Sequence, residues 1–188
     1  AHTTERNGQS ILVDANTRIN TNATASSSML TDGAIYNAYP LRVESPLHGE
    51  RTTLIDPSNV PANPNTTVVP SPFGWHDLDG NPGNEETITR GNNVAAYEDV
   101  MENDAPTGTD SFVDGGATLE FDNPIDFTMQ PVTYLDAATV NLFVWNNYVH
   151  DVWYNYGFDE TSGNFQESTY DREIDDGDIL FGYAGDSV

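Results

Sequence analysis

The sequence predicts an α+β fold in which a β-rich N-terminal lobe is followed by one long buried helix. Short apolar runs with strand-like alternation, separated by prolines and glycines, fill the first two-thirds of the chain. Residues 132–157 instead carry apolar side chains three and four positions apart, which is the spacing of a helix packed along one face. A chain of 188 residues is long enough for one domain with a hydrophobic core and an appended arm.

Residues 1–33 predict a polar N-terminal arm. Residues 10–15 (SILVDA) are a short strand candidate, and residues 16–33 are rich in Ser, Thr and Asn with few apolar side chains to bury. A segment of this composition is either disordered by itself or extended along a neighbouring surface.

Residues 34–131 are expected to form the β-rich lobe. Alternating apolar and polar residues predict strands at 34–43 and 51–55, and six prolines in residues 56–83 predict an ordered but irregular crossing. Further strand candidates are residues 87–89, 93–97, 117–121, 125–127 and, after the helix, 179–183.

The apolar spacing of residues 132–157 predicts the long helix. Residues 158–188 are expected to form an acidic, irregular tail with one short strand. Thr133 followed by Asp136 resembles a capping box at the helix start, and Gly157 fits a left-handed C-cap at its end. The side chains assigned to the centre of the buried stripe of the helix are Ala138, Leu142, Trp145, Val149, Val152 and Tyr156. Four aromatic side chains are expected to widen it over much of the circumference: Phe143, Tyr148, Trp153 and Tyr154.

The composition of the chain limits its partners. Asp and Glu number 30 against 6 Lys and Arg, and the formal net charge of −24 would repel nucleic acids and anionic membrane surfaces. No apolar run approaches the roughly 18 residues of a membrane span, and the chain has no cysteine for a disulfide or a thiolate metal site. We therefore expect no nucleic-acid partner and no membrane span.

Several features favour an exported, extracellular protein. The sequence has no lysine, Asn, Thr and Gly are abundant, and the alanine at residue 1 would suit a mature N-terminus. Two Asn-x-Thr sequons, at Asn22 and Asn65, are candidate glycosylation sites.

The acidic pattern Asp77-x-Asp79-x-Asn81 resembles the opening of a calcium-binding loop. An EF-hand would next require Gly and then Glu at positions where Pro82 and Ile88 stand, so an EF-hand is excluded. A calcium site of another kind is kept as a hypothesis.

The expected calcium site uses those three side chains together with Asn84 or Glu85. Clustered carboxylates repel one another at neutral pH, and a bound cation would relieve that repulsion. The alternative is that the carboxylates are solvated and screened by salt. Two further acidic clusters are weaker candidates: Asp104, Asp110 and Asp114 in one, and Asp171, Glu173, Asp175, Asp176 and Asp178 in the other.

Two of the four histidines have a candidate role. His150 precedes Asp151 on the predicted helix, and the pair would either line an active-site cleft or be held by hydrogen bonds to a neighbouring loop. The second interpretation is favoured for a lone helix histidine. His76, next to Trp75, would bind a metal or orient a carboxylate, or would more simply anchor the loop that turns at the tryptophan.

Four blocks of the sequence are distinctive: residues 71–80 (SPFGWHDLDG), 89–99 (TRGNNVAAYED), 141–160 (NLFVWNNYVHDVWYNYGFDE) and 163–167 (GNFQE). In this order they resemble the fungalysin family of secreted zinc metallopeptidases. Residues 34–57 are also similar to that family, and residues 13–17 (VDANT) resemble the closing strand of its inhibitory pro-region. The resemblance implies the N-terminal half of a thermolysin-like fold, in which a β-rich lobe leads into the first long helix.

In that family zinc is held by a His-Glu-x-x-His helix and by a glutamate further downstream, and the Glu of the motif activates the bound water. The sequence contains no His-Glu-x-x-His, and no two of its histidines, at positions 2, 48, 76 and 150, are four residues apart. No zinc ligand and no catalytic residue can therefore be carried over to a position of this chain. The resemblance implies the N-terminal scaffold portion of an extracellular zinc endopeptidase, with zinc in the parent enzyme and the missing catalytic lobe as partner. Such a portion would not be catalytic on its own.

Two other functions are kept open. The chain could be a non-catalytic structural subunit of an extracellular assembly or filament, joined to neighbouring copies of itself through the arm of residues 1–33. It could also be a carbohydrate- or surface-binding domain, an interpretation that needs exposed aromatic side chains at Trp75, Tyr36 and Tyr39.

Overall fold

The computed structural model confirms an α+β architecture of short strands and one long helix. The structure describes residues 31–58, 68–99, 106, 111–170 and 172, together with the backbone of residues 5–6, 9–10 and 180–184.

Within the described ranges, seven short strands form three small sheets. The strands are β1 (Glu5–Arg6), β2 (Gln9–Ser10), β3 (Ile35–Ala38), β4 (Thr52–Ile55), β5 (Val94–Glu98), β6 (Glu120–Phe121) and β7 (Leu180–Ala184). In the three-stranded sheet β3 lies between antiparallel β4 and parallel β6. β1 and β2 form an antiparallel pair, and β5 pairs in parallel with β7 in a register that joins Val94 to Leu180.

Most of the predicted strands exist, but several are shorter than predicted. β3 ends at Ala38 rather than at residue 43, because the chain turns after Pro40 and Arg42 adopts a positive φ of 78°. Residues 87–89 contribute one isolated bridge, from Ile88 to Asp114, instead of a strand, and residues 116–118 form a 3-10 helix ahead of β6. The strand predicted at residues 125–127 is wrong, because the Asp126 carboxylate accepts the N–H of Thr128 and forms a turn there.

The helix α1 spans Leu135–Asn155 and follows a 3-10 helix at Pro131–Tyr134. Its predicted C-cap is confirmed: Gly157 has a φ of 96°, its N–H donates to Tyr154 O at 3.0 Å, and the N–H of Phe158 donates to Trp153 O at 3.0 Å. The predicted capping box is wrong, because the hydroxyl of Thr133 donates to a carbonyl of the preceding turn and no side chain caps α1.

The buried face of α1 differs from the predicted stripe. None of the six residues at the centre of the predicted stripe is buried, and Val149 and Tyr156 are 45% and 81% exposed. Of the aromatic side chains expected to widen it, Phe143, Tyr148 and Tyr154 are buried. The face that packs against the lobe consists of Ala137, Thr139, Val140, Phe143, Val144, Asn147, Tyr148, Asp151 and Tyr154. Three of these side chains are polar, so counting apolar residues selected the wrong face of the helix.

The core is a cluster of aromatic rings between α1 and the sheets. Tyr36 of β3 stacks on Phe121 of β6 with ring centroids 5.1 Å apart, and Trp75 meets Tyr148 of α1 edge-on at 5.3 Å. α1 packs across β3, β5 and β7, which places its inner face over the core and leaves its outer face uncovered. Across the described ranges, no helix is both long and apolar enough to cross a membrane.

Candidate functional site

A fully buried carboxylate, that of Asp151, fastens α1 to the lobe. Its Oδ1 accepts the hydroxyl of Ser71 at 2.9 Å, and its Oδ2 accepts the indole N–H of Trp75 at 3.0 Å. His150 Nδ1 lies 3.0 Å from the same Oδ1. Hydrogen bonds to an ionised group are stronger than neutral ones, so these contacts hold the helix in one position relative to the loop that precedes β5.

His150 is held at both ring nitrogens. Its Nδ1 faces the Asp151 carboxylate, and its Nε2 lies 3.3 Å from the amide nitrogen of Asn164, on the loop after the helix. Since the carboxylate can only accept, Nδ1 carries the proton and Nε2 accepts from the amide. The side chain is 6% exposed, and it forms part of the wall of a surface groove.

Two buried asparagines extend this polar network, and the sequence prediction missed both. The amide of Asn93 donates to Ser71 Oγ at 3.1 Å and to Asn147 Oδ1 at 3.2 Å. Asn147 in turn donates to Phe143 O at 3.0 Å. One signal could have found Asn147: it stands four residues before Asp151 in an otherwise aromatic helix, so the two side chains share one face.

An apolar groove of about 390 Å³ runs along the outer face of α1. Its exposed side chains are large: Trp153 is 57% exposed, Val149 is 45% exposed and Phe165 is 41% exposed. We call this surface the apolar groove. It is lined by Asn93, Asn146, Val149, His150, Trp153, Phe158 and Phe165. Clustered apolar side chains at a surface are typical of an interaction site.

The turn at Trp75 and His76 belongs to the core rather than to a binding surface. His76 is fully buried, with Nδ1 3.1 Å from Arg90 O and Nε2 2.7 Å from the hydroxyl of Tyr36. Because a carbonyl only accepts, Nδ1 donates and Nε2 accepts from the phenol. Burial lowers the pKa of His76, which keeps the ring neutral. The expectation that Trp75 and Tyr36 are exposed is wrong, since they are 1% and 0% exposed, while Tyr39 is half-buried.

The loop after His76 brings three acidic side chains together. One carboxylate oxygen from each of Asp77, Asp79 and Glu85 lies within 4.8 Å of the others. Asp77 is buried, and the other two side chains are exposed. Burial raises the pKa of Asp77 to about 6, and the charges of Glu85 and Asp79 act in the same direction. Asn81, the fourth predicted ligand, donates its backbone N–H to Asp79 Oδ1 at 2.8 Å.

The described residues do not fit a zinc site. The one metal-compatible group found among them is the acidic group above, and it contains no histidine. The exposed His48 lies near Glu44 and Ser45, while His76 and His150 use both ring nitrogens for other contacts.

Several predicted site residues lie outside the described residues. Asp114 of the second acidic cluster is described, and its carboxylate accepts the N–H of Gly116 at 2.8 Å. The predicted residues outside the described ranges are Asn22, Asn65, Asp104, Asp110, Asp171, Glu173, Asp175, Asp176 and Asp178.

Comparison with known proteins gives consistent matches over most of the chain. Residues 35–188 match the sequence profile of the family described as Fungalysin metallopeptidase (M36). The chain is 35% identical over 137 residues to a "Probable extracellular metalloproteinase 2" of Arthroderma benhamiae, a match that covers 71% of this chain and 19% of the relative. It is 34% identical over 160 residues to an "Extracellular metalloproteinase 1" of Arthroderma gypseum, covering 81% of this chain and 22% of the relative. The chain thus spans about a fifth of the length of these relatives.

Proposed function

The chain belongs to the fungalysin family of metallopeptidases, and from that premise we propose that it is the N-terminal scaffold portion of an extracellular zinc endopeptidase. The family resemblance seen in the sequence blocks is confirmed, and the thermolysin-like assignment of the α+β fold agrees with the family. The observation that carries the proposal is the apolar groove on the outer face of α1. A helix with one face in the core and a second apolar face in solvent is suited to lie between two lobes.

The buried network around Asp151 supports a scaffold role. It fixes α1 through Ser71 and Trp75, so the position of the groove is set by the packing of the lobe. A second lobe that docks on the groove would therefore meet a surface that is already ordered, and little conformational entropy would be lost on docking.

Catalysis, in this proposal, requires residues outside this chain. The sequence has no His-Glu-x-x-His, and the described histidines are engaged in other contacts. Zinc, when bound in a metallopeptidase of this family, polarises the substrate carbonyl and activates a water. The ligands for that zinc would come from another part of the parent protein, and this chain would form a wall beside the site.

Secretion of the protein is part of the proposal. The relatives carry the name extracellular metalloproteinase. The net charge of −24 suits a solvated protein outside the cell. The alternative of a structural subunit depends on the arm of residues 1–33, of which the structure describes the backbone of two short strands and residues 31–33. None of the described contacts favours that alternative.

A substitution in the apolar groove of the full-length protein tests the scaffold proposal. Trp153→Ser should lower zinc-dependent peptidase activity and thermal stability together, because it removes an apolar contact between the lobes. The matched control is Phe127→Ser: this ring is also 57% exposed and also meets a neighbouring aromatic ring edge-on. The control should leave activity unchanged. Equal effects of the two substitutions would contradict docking on the groove.

A second test concerns catalysis itself. Purified chain 1–188 supplied with Zn²⁺ should hydrolyse no casein, whereas the full-length protein should hydrolyse it and lose that activity with a zinc chelator. Chelator-sensitive hydrolysis by the chain alone would overturn the assignment of a scaffold role.

A further inference from the structure

We propose that Asp77, Asp79 and Glu85 bind one Ca²⁺ ion, and that the ion fixes the loop of residues 77–86. Their ligand oxygens lie within 4.8 Å of one another. The peptidase function proposed above does not require this site, so the two proposals stand or fall separately.

The buried oxygen of Asp77 is the observation that points to a ligand. Asp77 is fully buried, and its Oδ1 has no hydrogen-bond partner within the part of the chain that the structure describes. A buried carboxylate oxygen without a partner lowers the stability of the fold, because it has lost its hydration and no hydrogen bond replaces it. Burial and the neighbouring Asp77 carboxylate raise the pKa of Tyr170, and the Tyr170 hydroxyl in turn lowers that of Asp77. At hydrogen-bond distance and angle, however, neither this hydroxyl nor Asp77 Oδ1 has a partner among the described residues. A cation next to Asp77 would satisfy Oδ1.

The remaining oxygens of the group are already arranged around a common point. One oxygen of each carboxylate accepts a backbone N–H of the same loop: Gly80 to Asp77 Oδ2 at 3.2 Å, Asn81 to Asp79 Oδ1 at 2.8 Å, and Leu78 to Glu85 Oε2 at 2.7 Å. These bonds orient the carboxylates and leave one oxygen of each without a hydrogen bond among the described residues. Three carboxylates therefore converge, and the contacts that they make with described residues include no cationic side chain.

The chemistry of the group favours Ca²⁺ over other metals. Calcium takes six to eight oxygen ligands at about 2.3–2.6 Å in flexible geometry, whereas Mg²⁺ demands near-ideal octahedral geometry and gives up its waters reluctantly. The group offers carboxylate oxygens without nitrogen or sulfur, which disfavours Zn²⁺. Asp79 and Glu85 are exposed, which leaves room for waters to complete a coordination of six to eight oxygens.

The ion would hold the loop closed against the rest of the lobe. The loop returns to its start, where the N–H of Glu85 donates to His76 O at 3.2 Å. Gly80 has a φ of 75°, and a Cβ at this position would lie 2.9 Å from the ring of Tyr170. The loop thus packs directly on Tyr170, and a cation at Asp77 would secure that contact.

The test counts calcium ions in the full-length protein with Ca²⁺ alone as the probe. After dialysis against trace Ca²⁺, atomic emission should find one ion fewer per molecule in Asp79→Asn and in Glu85→Gln than in the wild type. Calorimetric titration should show at least about a tenfold loss of affinity for that ion, because affinity follows the number of charged ligands. Asp77→Asn should have the same effect, but the two exposed positions carry the test because replacing them disturbs no packing.

Asp126→Asn is the matched control. Asp126 is exposed and accepts the N–H of Thr128 at 2.9 Å, as Asp79 accepts that of Asn81. This variant should bind as many ions as the wild type, with the same affinity. If Asp79→Asn and Glu85→Gln also match the wild type, the site does not exist. Limited proteolysis of the loop compares the two metals. If Mg²⁺ protects the loop from cleavage as effectively as Ca²⁺ does, the choice of Ca²⁺ is wrong.

Discussion

Replacing the buried carboxylate of Asp151 tests how α1 is fastened to the lobe. Asp151→Asn keeps the size and shape of the side chain and removes its charge. The carboxylate accepts hydrogen bonds from Ser71 at 2.9 Å and from Trp75 at 3.0 Å. An amide can accept at one of these two positions and presents its own N–H groups at the other.

The expected cost follows from these contacts. A hydrogen bond to a charged group contributes about 1.5–3 kcal/mol, against about 0.5–1.5 kcal/mol for a neutral one, so neutralisation removes about 1 kcal/mol for each of the two bonds. If the amide oxygen faces the indole of Trp75, one amide N–H can donate to Ser71, but the other faces the protonated Nδ1 of His150, so two buried donors are left without an acceptor. Adding about 1 kcal/mol for each gives a loss of about 4 kcal/mol in the free energy of unfolding.

Urea unfolding of the full-length protein, followed by tryptophan fluorescence, measures this loss from the change in midpoint at constant slope. The control is Asp122→Asn, because Asp122 is exposed and accepts the Asn37 amide at 2.7 Å, and it should change stability by less than about 0.5 kcal/mol. In a double-mutant cycle, Trp75→Phe and Asp151→Asn should be non-additive by about 1 kcal/mol. An Asp151→Asn variant as stable as the control would show that the Asp151 carboxylate does not fasten α1 to the lobe.

Two further predictions concern close packing and charge. Gly91→Ala should destabilise the protein by about 1–3 kcal/mol or more in the same urea assay, because the new Cβ would lie 1.5 Å from the carbonyl oxygen of Trp75; an unchanged midpoint would show that the backbone there yields. Burial, together with hydrogen bonding and repulsion from Asp136, raises the pKa of Glu98. The stability that Glu98 contributes is therefore complete at low pH, where its carboxyl is protonated, and is lost as the pH rises through the raised pKa. Asp136→Asn should therefore raise stability at pH 7, by less than about 0.5 kcal/mol because solvent screens the pair, and leave it unchanged at pH 4. A gain of equal size at both pH values would contradict this origin.

The helix shows where prediction from sequence succeeded and where it stopped. Its existence and its end at Gly157 were predicted correctly, because both depend on residues within one or two turns of each other. Its buried face was predicted wrongly, because Asn147 and Asp151 are buried by partners that are 54 to 80 residues away in sequence. An amphipathic pattern does not show that a polar side chain will find a buried partner.

The acidic loop was predicted in part. The spacing of Asp77 and Asp79 indicated an oxygen-rich site, and the structure brings Glu85 to them. That Asp77 is buried while Asp79 and Glu85 are exposed depends on the loop packing on Tyr170, which no local pattern shows. Trp75, which had been weighed as an exposed aromatic side chain, is buried against the rings of Tyr36, Phe143 and Tyr148.

The sequence by itself determined the net charge, the absence of cysteine and of a His-Glu-x-x-His motif, the blocks that resemble the fungalysin family, and the one long helix with its glycine cap. Each of these properties depends either on the amino-acid composition or on a pattern among residues that are close in the sequence. Only the tertiary structure decided which face of α1 is buried, which donors hold Asp151, and that Val149 and Trp153 form an apolar groove in solvent. Those features depend on contacts between distant parts of the chain, and burial and hydrogen bonding can be assigned only once those parts are packed together.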